Sequence, residues 1–297
     1  MREPNFDYNL ENRTFPANAI IEVCNFCNLK CGMCPYPTLK RPAGMMEENL
    51  FKRIIDQIAE IDKTTTIWPA QMGEPLMLGQ YLFALINYTK DKGLPVVLNT
   101  NGILIEDNLE NILESQLDEV IVGIDGATKG TYEKIRVGGD FDRIVRNVNL
   151  LLEKKPESLK VAVQFVETDE NEKEEDTFKE YWLGQGAIVK FRRKLGWGST
   201  VSSQLKKMKT ERLPCPWLLR TIVVHWDGSV VQCGGDNEGN FSVGNVEDKT
   251  LYELWSGPLH ERRDRHLNND FNFEPCRTCF DWACGISEWH YPTGAGA

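Results

Sequence analysis

The stretch Cys27-Asn28-Leu29-Lys30-Cys31-Gly32-Met33-Cys34 places three thiols within eight residues, directly after the β-like run Ala19–Val23. Gly32 and Pro35 keep this segment from continuing as a regular helix. Thiolates so close in sequence can converge on one centre without help from the rest of the chain. Four thiolates complete a structural zinc site or an ordinary iron–sulfur cluster. Three leave one metal position open, and an open position is where a substrate or cosubstrate binds. Cys24 is a candidate fourth ligand, which keeps zinc in view. Disulfides would need export, and Met1-Arg-Glu-Pro-Asn is followed by polar residues rather than by the apolar core of a signal peptide.

The chain has 297 residues, enough for one main domain and a smaller one. Its 34 basic and 44 acidic residues give a net charge of −10. That balance speaks against a nucleic-acid partner bound through phosphate neutralisation, and against an anionic membrane surface. No apolar run approaches the length of a transmembrane helix. Reduced cysteines without an export signal point to a cytoplasmic protein of a low-oxygen setting.

Beyond a polar leader, strand-like and helix-like segments alternate. The predicted strands are Ala19–Val23, Thr65–Pro69, Pro95–Thr100, Glu119–Asp125, Lys160–Thr168 and Ala187–Arg192. The predicted helices are Glu47–Ile61, Tyr81–Lys92, Asp107–Gln116, Phe141–Lys155 and Glu170–Leu183, with apolar residues three and four apart, as in Leu50, Ile54, Ile55 and Ile58. Such alternation implies an α/β fold, a parallel sheet with helices outside. In a parallel barrel the chemistry sits at the C-terminal ends of the strands, and the cysteine loop follows the first strand.

The spacing Cys-x3-Cys-x2-Cys at the end of a first strand resembles the radical SAM superfamily. The resemblance implies a partial (β/α)6 TIM-like barrel and a [4Fe–4S] cluster on Cys27, Cys31 and Cys34. Its fourth iron would be chelated by S-adenosyl-L-methionine, whose reductive cleavage yields a 5′-deoxyadenosyl radical. Met33 replaces the aromatic residue usual before the third cysteine. Gln71-Met72-Gly73-Glu74-Pro75 resembles the family's GGEP segment, so that Gly73, Glu74 and Pro75 would hold the cosubstrate's amino group. Asn99 and Asn101 end the third strand, where a cap and tight turn is the plainer reading. Asp125 is similar in place to a ribose contact, or else caps the helix opened by Thr128. Arg136 is a candidate anchor for the cosubstrate's carboxylate or a solvated surface residue, and Gln164 is a polar residue where the lumen would be. Asn171-Glu172 reads as a helix cap with first-turn charge.

After the sixth strand, Lys190-Phe191-Arg192-Arg193-Lys194-Leu195-Gly196-Trp197-Gly198-Ser199 is a basic cluster ending in an aromatic, glycine-rich turn. It suits an oxygen-rich substrate, or is simply a solvated basic edge.

A second cysteine set follows. Cys215 precedes a hairpin, Arg220–Trp226 and Ser229–Cys233 about the Asp227-Gly228 turn, and Cys276-x2-Cys279 lies beyond two short helices, Thr250–Trp255 and Leu259–Leu267. Four cysteines in this pattern make one more metal site, zinc or iron–sulfur. The order Cys215, Cys233, Cys276 and Cys279 resembles the SPASM/twitch extension of the radical SAM superfamily, in its abbreviated form close to the 2-deoxy-scyllo-inosamine dehydrogenases. That implies one auxiliary [4Fe–4S] cluster in a small α+β domain. Cys24 and Cys284 are left over. Both read as structural spares, with Cys284 also a candidate auxiliary ligand or hydrogen-atom donor.

The expected organisation is a leader at 1–16, the barrel at 17–200, a linker at 201–213, the auxiliary-cluster domain at 214–290 and a tail at 291–297. The function this implies is hydrogen abstraction from a carbon of a sugar, aminocyclitol or similar polar metabolite, with the auxiliary cluster taking the second electron. Arg192, Arg193 and Cys284 are the catalytic candidates. Epimerisation with a cysteine hydrogen donor, peptide or protein maturation and a non-enzymatic iron–sulfur or zinc scaffold are the alternatives. The resemblance also implies a flavodoxin- or ferredoxin-type electron donor as a partner.

Overall fold

A computed structural model describes residues 13–202, 211–284 and 287–292. The expected leader, linker and tail fall largely outside these described residues.

The six expected barrel strands form. They are β1 (Asn18–Ile21), β2 (Thr66–Trp68), β3 (Val97–Thr100), β4 (Glu119–Gly123), β5 (Lys160–Glu167) and β6 (Ile188–Arg193). β1 and β2 run parallel with Ala19 opposite Ile67, and β3 to β6 form a parallel ladder in order. β2 meets β3 at one parallel bridge between Ile67 and Val96, where the Ile67 amide donates to the Pro95 carbonyl at 2.8 Å. The six strands therefore curve in sequence order into a partial barrel.

The connecting helices are α1 (Glu48–Ile61), α2 (Gln80–Asp91), α3 (Leu109–Glu114), α4 (Lys129–Ile135), α5 (Phe141–Lys154) and α6 (Glu175–Gly184). α1 buries Phe51, Ile54, Ile55 and Ile58, the stripe its periodicity predicts. Asp140 caps α5 and Thr128 caps α4, each accepting from a backbone amide three residues on. α6 starts later than the sequence suggests. The Asn171 side chain accepts from the Thr168 amide and donates to the carbonyls of Asp125 and Val166, so it stitches two strand ends together instead of capping a helix.

The C-terminal region contributes α7 (Pro216–Arg220), β7 (Thr221–Val224), β8 (Ser229–Val231), β9 (Ser242–Asn245), α8 (Leu251–Ser256), α9 (Pro258–Leu267) and β10 (Ser287–His290). β7 and β8 are the expected hairpin, but they are not a detached unit. β7 pairs parallel with β1, Ile21 opposite Val224, and β10 pairs antiparallel with β6, Glu288 opposite Phe191. Both open edges of the partial barrel are thus covered by strands of the small domain, which removes two rows of unpaired amides from water. The core is correspondingly continuous: Ile222, Val224, Trp255 and Leu259 belong to the same buried cluster as Ile21, Phe51 and Leu82. Arg263 is buried with its guanidinium stacked 3.6 Å from the Trp255 ring centroid, and it donates to the Trp255 carbonyl. Among the described residues no helix is long and apolar enough to cross a membrane.

Because β7 completes the edge of β1, Ile222→Ala should do more than loosen the hairpin. The lost side chain and residual cavity cost about 2–5 kcal/mol. Hydrogen exchange should show the amides of β1 losing protection together with those of β7. Loss confined to β7 would contradict a shared core.

Candidate functional site

The loop between β1 and α1 carries the first cysteine set and is held by its neighbours. The Lys30 amide donates to the Val137 carbonyl at 2.8 Å and the Gly32 amide to Ile135 at 3.1 Å, which lays the loop on the end of α4. Asn101, past β3, donates to Asn28 Oδ1 at 2.7 Å and reaches the Cys27 sulfur at 3.8 Å. The 71–75 segment lies against the start of the same loop, the Glu74 amide donating to the Phe26 carbonyl at 2.9 Å. A Cβ at Gly73 would overlap the carbonyl oxygens of Cys24 and Phe26, so this approach needs glycine. Cys24 is buried with its thiol directed to the Glu74 carbonyl at 3.6 Å, and it does not line the cavity beside the other three. It is a packed thiol of this crossing.

Cys27, Cys31 and Cys34 line a cavity of about 180 Å³ at the C-terminal ends of the strands. Gly73, Glu74, Asn99, Asn101, Arg136, Gln164 and Arg192 share it. Glu74 is fixed there: its carboxylate accepts from Thr100 Oγ1 and the Asn101 amide at 2.7 Å each, and from the Leu76 amide at 3.1 Å. Three of a carboxylate's four or so acceptor positions are then used, leaving about one for a bound ammonium. Burial raises its pKa against the pull of those donors. Gln164 is 6% exposed and its Oε1 has no partner among the described residues. Beneath this level Lys190 lies between the rings of Trp68 and Trp289, 5.8 and 4.6 Å from their centroids. Burial, then the charge of Arg192, lowers its pKa to about 7.

Three expected site residues are not brought to the cavity. Asp125 caps no helix and does not line the cavity. One of its oxygens receives Arg136 Nη2 and Nε at 2.6 and 2.7 Å, and the other accepts the Val166 amide at 2.7 Å. Burial raises the Asp125 pKa, with Arg136 pulling the other way. Burial disfavours the Arg136 cation, but Asp125 and the Cys31 thiol outweigh it and hold its pKa above the ordinary value. An ion pair results, because arginine keeps its proton. Its Nη1 donates to the Cys31 sulfur at 3.6 Å. Gly123 makes room for the guanidinium, which a Cβ there would overlap. Asp125 is therefore the support of Arg136. Pro75 opens a 3-10 turn, Pro75–Leu78, behind the wall. Arg193 follows strand alternation to the face shared by Val189 and Phe191, opposite Glu167, while Arg192 faces the lumen. The side chain of Cys284 lies outside the described residues; its backbone ends the 3-10 turn Asp281–Cys284.

A second cavity is ringed by Cys215, Cys233, Cys276 and Cys279. Gln232 Nε2 donates to the Cys276 sulfur at 3.1 Å, and the Asp281 amide to Cys279 at 3.3 Å. The Asp281 carboxylate accepts from the amides of Gly196 and Gly198 at 2.6 and 2.8 Å. Trp197 between them takes φ 48° and donates from Nε1 to the Met33 carbonyl at 3.2 Å. The 195–199 segment is thereby bonded to both cysteine sets, and Leu195 lines both cavities. The sequence gives no motif for Asp281 or His266 in the second cavity. The heptad-like placement of His266 after Leu259 and Arg263 on α9 was the one available sign of burial.

The donor sets suit iron–sulfur clusters. Three thiols on one wall beside Gln164, whose Oε1 has no partner among the described residues, leave a corner for a cosubstrate, and four thiols close the second ring.

Residues 21–180 match the radical SAM superfamily, and residues 215–280 match the SPASM iron–sulfur cluster-binding domain. The chain belongs to the radical SAM superfamily. As such it uses S-adenosylmethionine and a [4Fe–4S] cluster, with auxiliary iron–sulfur chemistry in its SPASM domain. It is similar to the tungsten-containing aldehyde ferredoxin oxidoreductase cofactor-modifying protein of Pyrococcus furiosus, at 23% identity over 87% of this chain and 86% of that protein. It is 34% identical to the AdoMet-dependent heme synthase of Methanosarcina barkeri over 42% of this chain, spanning 36% of that relative. Among solved structures the fold is similar to BtrN in complex with AdoMet and 2-DOIA, with a TM-score of 0.65, 17% identity, and 89% and 93% of the two chains covered. Streptococcus suis SuiB bound to precursor peptide SuiA gives 0.70 and 14%, with 90% of this chain and 70% of that one covered.

Two outcomes follow from this geometry. Burial pushes the thiols of Cys27, Cys34 and Cys215 up to about 11, and that of Cys276 to about 12. The thiols hold their protons at neutral pH and must release them to ligate iron. Iron retained after a chelator challenge should therefore rise with pH throughout the range below about 11, and a flat profile would contradict protonated ligands. Asp125→Asn leaves the buried Arg136 cation without its counter-charge and should cost about 3–5 kcal/mol in urea unfolding.

Proposed function

We propose that the chain is a radical SAM oxidoreductase that oxidises an alcohol carbon of a polar, hydroxylated small metabolite. In this reading Cys27, Cys31 and Cys34 ligate the first cluster, and Cys215, Cys233, Cys276 and Cys279 the auxiliary one. The first cluster, when bound, supplies the electron that cleaves S-adenosylmethionine to a 5′-deoxyadenosyl radical. Glu74 and the 71–75 backbone hold the cosubstrate's ammonium, and Arg136 offsets the negative charge gathered at Cys31. Gln71, Asn99 and Gln164 supply amide groups for hydroxyls.

The substrate carbon loses a hydrogen atom to the radical, giving 5′-deoxyadenosine. Cys215, Cys233, Cys276 and Cys279 would hold the auxiliary cluster, which would take up the second electron as the hydroxyl proton passes to water and a ketone is left. Two electrons thus leave the substrate. Arg192 orients the oxygen through charge-assisted hydrogen bonds and is no base, since guanidinium keeps its proton. A flavodoxin- or ferredoxin-type protein supplies the first electron.

The observation that carries this reading is the wall shared by the two cavities: Leu195 lines both, so a substrate radical in the first lies one side chain from the second. Gln71, Asn99, Gln164 and Arg192 line the first cavity, polar groups that suit a hydroxylated metabolite.

Anaerobically loaded protein given dithionite and S-adenosylmethionine should form 5′-deoxyadenosine. With substrate deuterated at the reacting carbon, the label should appear in 5′-deoxyadenosine and a ketone should accumulate. Arg192→Gln should lower kcat/KM by about 10–100-fold, the worth of a charged hydrogen bond, with Arg193→Gln within about twofold. An inverted carbon carrying solvent deuterium, abolished by Cys284→Ala, would replace oxidation by epimerisation.

A further inference from the structure

His266, on α9, is 0% exposed and lines the second cavity together with the four thiols. Its Nδ1 accepts the Cys215 amide at 3.1 Å. A ring nitrogen that accepts carries no proton, so the imidazole is neutral and its hydrogen is on Nε2. Phe271 and Phe273 meet the ring edge-on, at 5.0 and 5.5 Å between centroids, and hold it in that orientation. Among the described residues Nε2 has no hydrogen-bond partner.

A buried N–H with nothing to donate to is costly, and native structures rarely leave one without a reason. Of the side-chain acceptors lining this cavity, the Asp281 carboxylate is taken by the Gly196 and Gly198 amides and Gln232 Oε1 by Arg262, which leaves the sulfurs. Gln232 already shows the pattern from another side: its Nε2 donates to the Cys276 sulfur, and its Oε1 is held by Arg262. Hydrogen bonds to cluster sulfurs stabilise the more negative, reduced form and so raise the reduction potential.

We propose that His266 is a positioning residue of the auxiliary cluster: Nδ1 fixes the backbone at Cys215, and Nε2–H donates to a cluster sulfur and raises the potential at which that cluster accepts one electron. The assignment needs a cluster in the second cavity. It holds whichever substrate is oxidised, and whether or not the product is a ketone.

The test uses the full chain carrying Cys27→Ala, Cys31→Ala and Cys34→Ala, so that only the auxiliary cluster gives a signal. His266→Asn keeps an acceptor near the Nδ1 position for the Cys215 amide, but its shorter amide leaves no donor at the Nε2 position. Its midpoint in an EPR-monitored redox titration should fall by the equivalent of a tenfold smaller reduction constant, about 59 mV for one electron. His266→Gln, whose amide nitrogen reaches nearer the Nε2 position, should recover most of that shift. Iron content separates a changed potential from a lost cluster. Independently, unaltered protein labelled with 15N-histidine should show a histidine nitrogen coupled to the reduced auxiliary cluster by pulsed EPR. An unchanged midpoint in His266→Asn with iron retained, or no nitrogen coupling in the labelled protein, overturns the proposal.

Discussion

A partial barrel leaves two edges of unsatisfied backbone amides and carbonyls, and here the C-terminal region satisfies both. β7 adds to β1 in parallel register and β10 adds to β6 in antiparallel register. A sheet edge can be covered in many ways, but covering both with one segment ties that segment to the strands whose loops carry the chemistry. β1 leads into the first cysteine loop, and β6 leads into Leu195–Ser199. The auxiliary thiols are consequently held against the mouth of the barrel, and the two domains share one core containing Ile21, Ile222 and Trp255.

The same constraint explains why the 195–199 segment adopts a backbone that its residues do not prefer. Trp197 and Ser199 both have positive φ, at 48° and 78°. The segment is held at two points: the Asp281 carboxylate receives the amides of Gly196 and Gly198, and the Trp197 indole donates to Met33. Non-glycine residues stay in that region when surrounding bonds over-determine them. The result is a thin partition, Leu195 and Trp197, between the cavity at the strand ends and the thiol ring of the small domain. Gln71 Nε2 donates to the Gly234 carbonyl at 3.4 Å, a further tie between barrel and small domain.

The strand and helix pattern of the barrel was legible because periodicity and turn chemistry are local. α1 and α5 fall within a residue or two of expectation, as do the six strands. The pairing of β7 with β1 was not legible: residues about two hundred positions apart meet through backbone groups, which leave no side-chain signature. Asp125 was legible as a carboxylate at a strand end, but the groups it meets were not. A sequence shows a carboxylate at a strand end, but only the fold brings Arg136 and the Val166 amide onto its oxygens. Arg193 could have been separated from Arg192 by parity, since Val189 and Phe191 already mark the helix-facing side of β6. His266 and Asp281 belong to no motif, and their meaning comes wholly from what surrounds them.

The account depends on two clusters standing on either side of one thin wall. Anomalous iron scattering from anaerobically grown crystals of the loaded protein tests this directly. It should show two groups of iron, one against Cys27, Cys31 and Cys34 and the other enclosed by Cys215, Cys233, Cys276 and Cys279, with Leu195 between them. A single group of iron, or one isolated metal ion in place of the second group, would contradict it.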